Sequence, residues 1–593
     1  MNSYKYIIGI DLGTSNTVVS YARIRNDETE PEFEIFKIPQ IVKPGEILEK
    51  EMLPSFVYFP DDNEKNRSRF TMPWESEETF IIGEYAKIRG GEVPSRQISS
   101  AKSWLCNPHA KRENKILPWN SESVIEKLSP VDVQSEILQH IKNAWNFKFA
   151  QDNSDNSFEK QKIIITVPAS FDTVARELTL KSAKKTGIID LTLMEEPQAV
   201  FYSWLFSHGD SSDSPWRDEI KAEDIVLVCD IGGGTSDFSL IKVNNQNGEL
   251  ELERIAVGNH LLVGGDNMDL ALSYFLRSKF ASSGKNLDPW QMRILLNKAR
   301  ETKEVLSSGG GKDSKNVIIP GKGMKLIGGS LKSELSFNEL QQMISAGFFP
   351  ECNISEEPSN NQTTGLREVG LLYESDPAIT KHIAKFLKKS LPEGTFPTHV
   401  IFNGGVMQSQ FIKKQLKKIV SSWGNDGITE LTNIKTSLAV AIGAGYYGFV
   451  KENNGLRIKS GLNKSYYIEV ASSMPSIPGI PLPTKALCVG NFGAEEGSII
   501  KIKEKEYMLV LGEEVTFSLL ASDSRKEDIP GTEIEDFNNE LEPINEIKAM
   551  LKGEPGETIP VILEIHLTEV GTMDFFCASI SDEKKWKLEF DLR

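Results

Sequence analysis

Cysteine is scarce. The 593 residues carry five, Cys106, Cys229, Cys352, Cys488 and Cys577, scattered and never in a CxxC pair. That excludes a disulfide framework and a structural zinc site, and a reducing cytoplasm is the simplest compartment. The seven histidines form no ligand-spaced cluster, which argues against a transition-metal centre. Long apolar runs are also missing. The longest, Leu438 to Val450, is glycine-rich and shorter than a membrane span, so no membrane partner is expected. The apolar run before Asp11 is too short for a signal sequence and has no small-residue cleavage site. Excess positive charge is lacking as well. A net charge of -17 leaves no basic surface to neutralise nucleic-acid phosphates. It does not oppose nucleotide or peptide ligands, because a local site can carry the opposite sign.

What is present is an internal echo. The apolar strand Tyr6 to Ile10 runs into Asp11-Leu-Gly-Thr-Ser-Asn-Thr17 and a second apolar strand, Val18 to Ala22. Far along the chain, Ile225 to Cys229 runs into Asp230-Ile-Gly-Gly-Gly-Thr-Ser-Asp237 and a strand from Phe238 to Val243. Two copies of strand, acidic glycine-threonine turn, strand predict two related lobes. Between them strands alternate with helices: a strand over Lys162 to Val167, a helix over Thr173 to Thr186 stopped by Gly187, a strand over His399 to Phe402, a helix over Gln410 to Val420, and an apolar helix over Thr436 to Val450. Beyond a hinge at Glu452 to Gly455 the pattern becomes short strands with turn signals: Tyr466 to Ala471, Lys485 to Val489, Ser498 to Ile502, Tyr507 to Leu511, Val515 to Ala521, Val561 to Leu567 and Met573 to Ser579. A short helix is expected within Glu535 to Met550. Polar loops are expected at Ser207 to Ser214, Ser307 to Gly311 and Ser355 to Gln362.

The chemistry of such turns is specific. Glycine lets backbone N–H groups approach phosphate oxygens and bend into concave nests. Two turns facing each other could clamp a polyphosphate from both sides. Asp11 and Asp230 would repel the phosphates unless a cation lay between them, which implies Mg2+ held through waters.

At this point the residues resemble a known family, the DnaK-type heat-shock chaperones (heat shock protein 70 family) of the actin-like ATPase superfamily. Gly9 to Asn16 and Asp230 to Asp237 resemble its two phosphate loops. Ile165-Thr-Val-Pro-Ala-Ser-Phe171 with Arg176 resembles its nucleotide-sensing segment. Glu195-Glu-Pro-Gln-Ala199 and Gly264-Gly-Asp-Asn-Met-Asp269 resemble two further elements, and the likeness covers roughly residues 5 to 450. It implies an α/β fold, a two-lobed actin-like (ribonuclease H-like) ATPase domain over 1–450. A linker over 451–464 and a smaller all-β substrate-binding domain over 465–593 would follow. By the same resemblance Lys87, in Ile82 to Lys87, positions the attacking water. Glu196 and Asp230 organise the metal's water shell, and Thr235 sits near the γ-phosphate. Gly13, Thr14, Ser15, Asn16, Gly232, Gly233 and Gly234 hold the phosphates, with Gly264 and Gly265 beside them. Lys303, Ser307, Gly404 and Gly405 hold the nucleoside. Asp11 with Asp237 holds K+, and Pro168 with Arg176 reports nucleotide state.

Departures fall on the adenine side, where Arg300, Glu304, Gln408 and Ser437 replace the family's usual residues, and on the linker, where only Asn454 to Ser460 is found. No long helical lid and no acidic tail are expected after the β strands. The implied function is a slow, partner-stimulated ATPase and chaperone using ATP/ADP, Mg2+ and K+. Its partners would be an unfolded or dedicated polypeptide, a J-domain co-chaperone and an exchange factor. The alternatives are a nucleotide-switched scaffold for one partner and a small-molecule kinase on the same fold.

Overall fold

A computed structural model describes residues 4–24, 31–67, 70–74, 80–107, 110–119, 121, 126–209, 216–246, 249–308, 313–321, 330–359, 371, 373–424, 427–432, 434–452, 458–459, 461–462, 464–472, 483–495, 497–537, 540–550, 553–568, 573–580 and 584–588. Of the expected hinge at 452–455, residues 453–455 lie outside these residues, as do 210–214, 309–311 and 360–362 of the expected polar loops.

The echo in the sequence is an echo in topology. In the first lobe Tyr6–Leu12 pairs antiparallel with Asn16–Arg23 and parallel with Lys162–Val167, which pairs parallel with Leu191–Glu195. In the second lobe Ile225–Ile231 pairs antiparallel with Ser236–Gln246 and parallel with His399–Asn403, which pairs parallel with Thr429–Glu430. The first strand of each lobe is buried almost throughout, with one half-buried residue, the aspartate, near its end. Covered on both faces, these strands read as continuous apolar runs rather than alternating ones.

Helices cover the sheets. Asp172 caps Thr173–Lys185 by accepting from the Ala175 amide, and Gly187 follows at φ 82°, the left-handed position that ends a helix. Between the lobes the helices Glu196–His208 and Ala439–Glu452 cross. A Cβ built on Gly443 would fall 1.7 Å from the Ala199 carbonyl oxygen, so only glycine allows this crossing. The shared core here joins Ile7 and Ile164 of one sheet to Val226 and Ile401 of the other through Ala199, Trp204 and Ala444.

The third region is a sandwich of two antiparallel sheets. One has the order Glu533–Ile534, Thr484–Gly490, Ser465–Ala471, Glu514–Ser522, Glu542–Met550. The other has Ile499–Leu511, Glu557–Leu567, Met573–Ser579, Lys585–Leu588. Tyr466, Leu487 and Leu519 meet Leu509, Val561 and Phe575 in its core. Two expectations are corrected here. The two strands expected at 498–502 and 507–511 are one, Ile499–Leu511, with its register shifting between Ile502 and Tyr507. The helix expected within 535–550 gives way to the strand Glu542–Met550, paired along Glu514–Ser522. It lies at the edge of its sheet, where Pro543 is tolerated.

The sandwich is tied to both lobes. Ile458–Lys459, within the expected linker, extends the second lobe's sheet by pairing parallel with Leu252 and Glu253, and the Ile458 amide donates to the Tyr202 hydroxyl at 2.9 Å. Lys389 Nζ lies 2.5 Å from Asp523 Oδ2. Glu177, on the first lobe, faces Asp574 and Lys587 of the sandwich. Burial first, then repulsion from Asp574, pushes the Glu177 carboxyl up to about 7. A raised carboxyl stabilises the folded form below its ordinary 4.5, and that contribution is lost as the pH rises through about 7. Glu177→Gln is therefore expected to raise the melting temperature at pH 8 by roughly 2–4 °C, an effect on the order of 1 kcal/mol. At pH 4.5 the gain should vanish. Equal melting curves for the two proteins at pH 8 would count against it.

Candidate functional site

Both glycine turns stand at the ends of their strands and point into one cleft between the lobes. In the first, a Cβ on Gly13 would lie 2.2 Å from the Asn16 carbonyl oxygen. In the second, the Gly232 amide donates to the Thr235 carbonyl at 2.9 Å. The turns also face each other closely. A Cβ on Gly233 would lie 2.3 Å from Ser15 Oγ, and one on Gly234 3.3 Å from Thr14 Cγ2. The helix Gly265–Ser282 buttresses the second turn from behind: the Gly265 and Asp266 amides donate to the Gly232 and Gly233 carbonyls at 3.0 and 2.7 Å. Gly404, at φ 92°, passes so close that a Cβ would meet Ile231 O at 2.3 Å. A side chain at either Gly233 or Gly404 would fill the space the backbone needs.

The cleft encloses about 650 Å³. Its lining includes Asp11, Gly13, Thr14, Ser15, Asn16, Lys87, Pro168, Glu196, Asp230, Gly232, Gly233, Thr235, Asp237, Gly265, Lys303, Ser307, Gly404 and Gly405. Of the residues expected at the site, Gly234 and Gly264 are not in the lining. Gly264 supports the turn, where a Cβ would lie 2.7 Å from Gly233 O.

Four carboxylates, Asp11, Glu196, Asp230 and Asp237, share the floor. Burial, then repulsion from Glu196, raises both Asp11 and Asp230 above the ordinary carboxylate range. Asn403 donates to Asp230 Oδ2 at 2.8 Å, while Asn403 Oδ1 is buried with no partner. Asp237 differs from the others. Its Oδ1 accepts from Ser170 Oγ at 2.8 Å and faces His260 Nδ1 at 3.1 Å. Burial would lower the His260 imidazole, but Asp237 outweighs it and raises it well above its ordinary value. Among the described residues no three histidine, cysteine or carboxylate ligands converge for direct coordination of one ion.

The lysine that reaches the carboxylates is Lys102. Its side chain is 5% exposed and its ammonium pairs with Glu196. Burial would depress the ammonium, yet Glu196 and Asp11 hold it raised, and charged. Lys87 lines the cleft from the helix Glu84–Glu92, and its charge acts on Asp266 of the opposite lobe. Sequence reasoning missed Lys102, although one signal was there: it is the only charged residue in the stretch Gln97 to Asn107. Lys303 is also engaged within the protein, 2.7 Å from Asp269 Oδ1 and donating to the Gly265 carbonyl at 2.9 Å. Arg300 holds Asp266 and Asp269 at 2.6 and 2.7 Å.

Next to the cleft lies a buried ion triad. Arg176 and Arg254 both pair with Glu195, and Arg254 also donates to the Gly461 carbonyl, in the segment leading into the sandwich. Burial would raise the Glu195 carboxyl, but Arg254 and Arg176 hold it below its ordinary value.

Two related lobes closing on a glycine- and carboxylate-lined cleft define an actin-like α/β protein, followed here by a β-sandwich. The family model for the Hsp70 protein matches residues 7–420, more than half of the chain, and the chain belongs to the Hsp70 family. It is similar to the chaperone protein HscA homolog of Aliivibrio salmonicida (strain LFI1238), 25% identical over 425 residues, which cover 69% of this chain and 59% of the relative. The chaperone protein HscA of Buchnera aphidicola subsp. Schizaphis graminum (strain Sg) is 25% identical over 426 residues, with the same coverage. The HscA homolog of Burkholderia multivorans (strain ATCC 17616 / 249) is 28% identical over 313 residues, 51% of this chain and 42% of the relative. The chain thus spans less than two thirds of the length of these curated relatives. Among the described residues no helix is long and apolar enough to cross a membrane.

Proposed function

We propose that this chain binds and hydrolyses ATP in the interlobe cleft, and that the nucleotide state controls polypeptide binding by the β-sandwich. The division of the chain into 1–450, 451–464 and 465–593 is part of this reading. The observation that carries it is the meeting of two glycine turns over four carboxylates and one buried lysine.

The donor set suits a cation held through waters: burial first, then repulsion from Glu196, raises Asp11 and Asp230, and Lys102 offsets only part of the charge at Asp11. Mg2+, when bound, supplies charge neutralisation for the phosphates. Glu196 and Asp230 hold its water shell. The Thr14 and Ser15 hydroxyls and the amides of Gly13 and 233–235 would take phosphate oxygens, with Thr235 assigned to the terminal one. Lys102 is assigned the orientation of the attacking water, in place of Lys87. Such catalysis is positioning and charge stabilisation, and needs no strong acid or base. K+ belongs beside Asp11; the bonds of Asp237 to Ser170 and His260 reduce its share in that site.

The HscA relatives carry the name chaperone, which supports polypeptide as the client class; a J-domain protein and an exchange factor are partners proposed from the resemblance alone. The test is ATP turnover with and without an unfolded polypeptide. Client-accelerated hydrolysis supports the reading. Tight ATP binding with no client effect favours the nucleotide-switched scaffold instead.

A further inference from the structure

Asn403 ends the strand His399–Asn403 and stands beside Asp230 in register. Only 2% of it is exposed, and it lines the cleft. Its side-chain nitrogen donates to Asp230 Oδ2 at 2.8 Å, which turns Oδ1 away from that carboxylate. Oδ1 is buried and has no partner among the described residues. The matching place in the first lobe differs. Thr166 comes one residue past the Ile10–Ile165 pair, as Asn403 comes one past Cys229–Phe402. The Thr166 hydroxyl donates to the Ile10 carbonyl at 3.3 Å. One lobe ties its polar group to its own backbone, and the other leaves an acceptor open.

A buried acceptor without a donor is costly to keep. An amide oxygen accepts and cannot donate. Phosphate oxygens on a nucleotide also accept, so they cannot satisfy it. A water held by a cation can, because both its protons point outward. The carboxylates of the floor are served unequally. The Lys102 ammonium pairs with Glu196 and acts on Asp11. For Asp230 the fixed donor is Asn403. Burial first, then Glu196, raises the Asp230 carboxyl, and the Asn403 amide acts the other way. A single side chain thus holds this carboxylate and offers an acceptor next to it.

We propose that Asn403 is a positioning residue for the cation: its Nδ2 fixes the Asp230 carboxylate, and its Oδ1 accepts from a water of the Mg2+ shell. The proposal rests on the nucleotide-binding reading above. Side chains that orient the groups holding a metal are worth about 10- to 100-fold in metal affinity.

The experiment is calorimetric titration of the full chain with ADP, across a Mg2+ series and in EDTA. The parent is compared with Asn403→Leu, which keeps the volume and loses both hydrogen bonds. The Mg2+ concentration giving half of the gain in ADP affinity is expected to rise by about tenfold or more, while affinity in EDTA changes little. Melting curves without nucleotide check folding. Asn403→Thr, which puts the first lobe's residue in this strand position, is the second variant and should shift the half-point the same way by less. An unchanged half-point in the folded variants overturns the proposal. An equal loss with Mg2+ and in EDTA also overturns it, and makes a ribose hydroxyl the donor instead. No binding of ADP by the parent in either condition overturns the nucleotide reading itself.

Discussion

Lys102→Ala is expected to lower single-turnover ATP hydrolysis by about a hundredfold or more, while ATP affinity changes by only a few-fold. The reason is placement. The Lys102 ammonium is nearly sealed from solvent, paired with Glu196 and inside the field of Asp11. In that low-dielectric floor a fixed positive charge acts on developing phosphate charge far more strongly than it could in water. Its removal also leaves Glu196 facing Asp11 and Asp230 with no cation between them. The variant should therefore depend on Mg2+ more steeply than the parent does. Lys102→Met keeps the side-chain volume and separates charge from packing. Lys87→Ala is the control: Lys87 acts on Asp266 across the cleft, so its loss should weaken binding more than turnover. Hydrolysis abolished by Lys87→Ala and retained in Lys102→Ala would reverse the assignment. Rapid-quench measurement with saturating ATP distinguishes the two.

Glu195→Ala is expected to be the most destabilising single change outside the cores. Two guanidinium groups, Arg176 and Arg254, share this one carboxylate, and all three side chains are buried. Taking the acid away strands both cations. Breaking a buried pair in this way costs about 3–5 kcal/mol, which should lower the melting temperature by roughly 10 °C. The same residue connects regions. Arg254 reaches the Gly461 carbonyl in the segment leading into the sandwich, and Arg176 lies on the helix that follows Pro168 of the cleft. Loss of Glu195 should therefore reduce the effect of ATP on polypeptide binding as well as stability. Glu195→Gln, which keeps hydrogen bonds but not charge, should fall between the two. An unchanged melting temperature for Glu195→Ala would show that the triad does not hold the fold.

What the sequence revealed was what local spacing encodes. The two turns could be read because aspartate, glycine and threonine recur at the same place after an apolar strand, and their topology repeats in three dimensions. The sandwich strands could be read as short runs between turn signals, as at Val561 to Leu567. Non-local partners could not. Arg254 lies 59 residues from Glu195, and no periodicity predicts that they meet. Glu542–Met550 is rich in polar residues, and its state is decided by pairing with Glu514–Ser522 rather than by its own composition. Lys102 was overlooked for a similar reason. The helix Ala101–Leu105 is too short for a periodic signal, and what marks the lysine is burial against Glu196, 94 residues away. Lys303 was read as a nucleoside contact from its place in a motif. In three dimensions it also pairs with Asp269 beneath the second turn.

The most direct test of the central claim is single-turnover conversion of ATP by the full chain with Mg2+ and K+, followed with and without an unfolded polypeptide. Slow, stoichiometric formation of ADP is expected, accelerated by the polypeptide and removed by Lys102→Ala. ATP bound tightly in the cleft but left intact under every one of these conditions would contradict it.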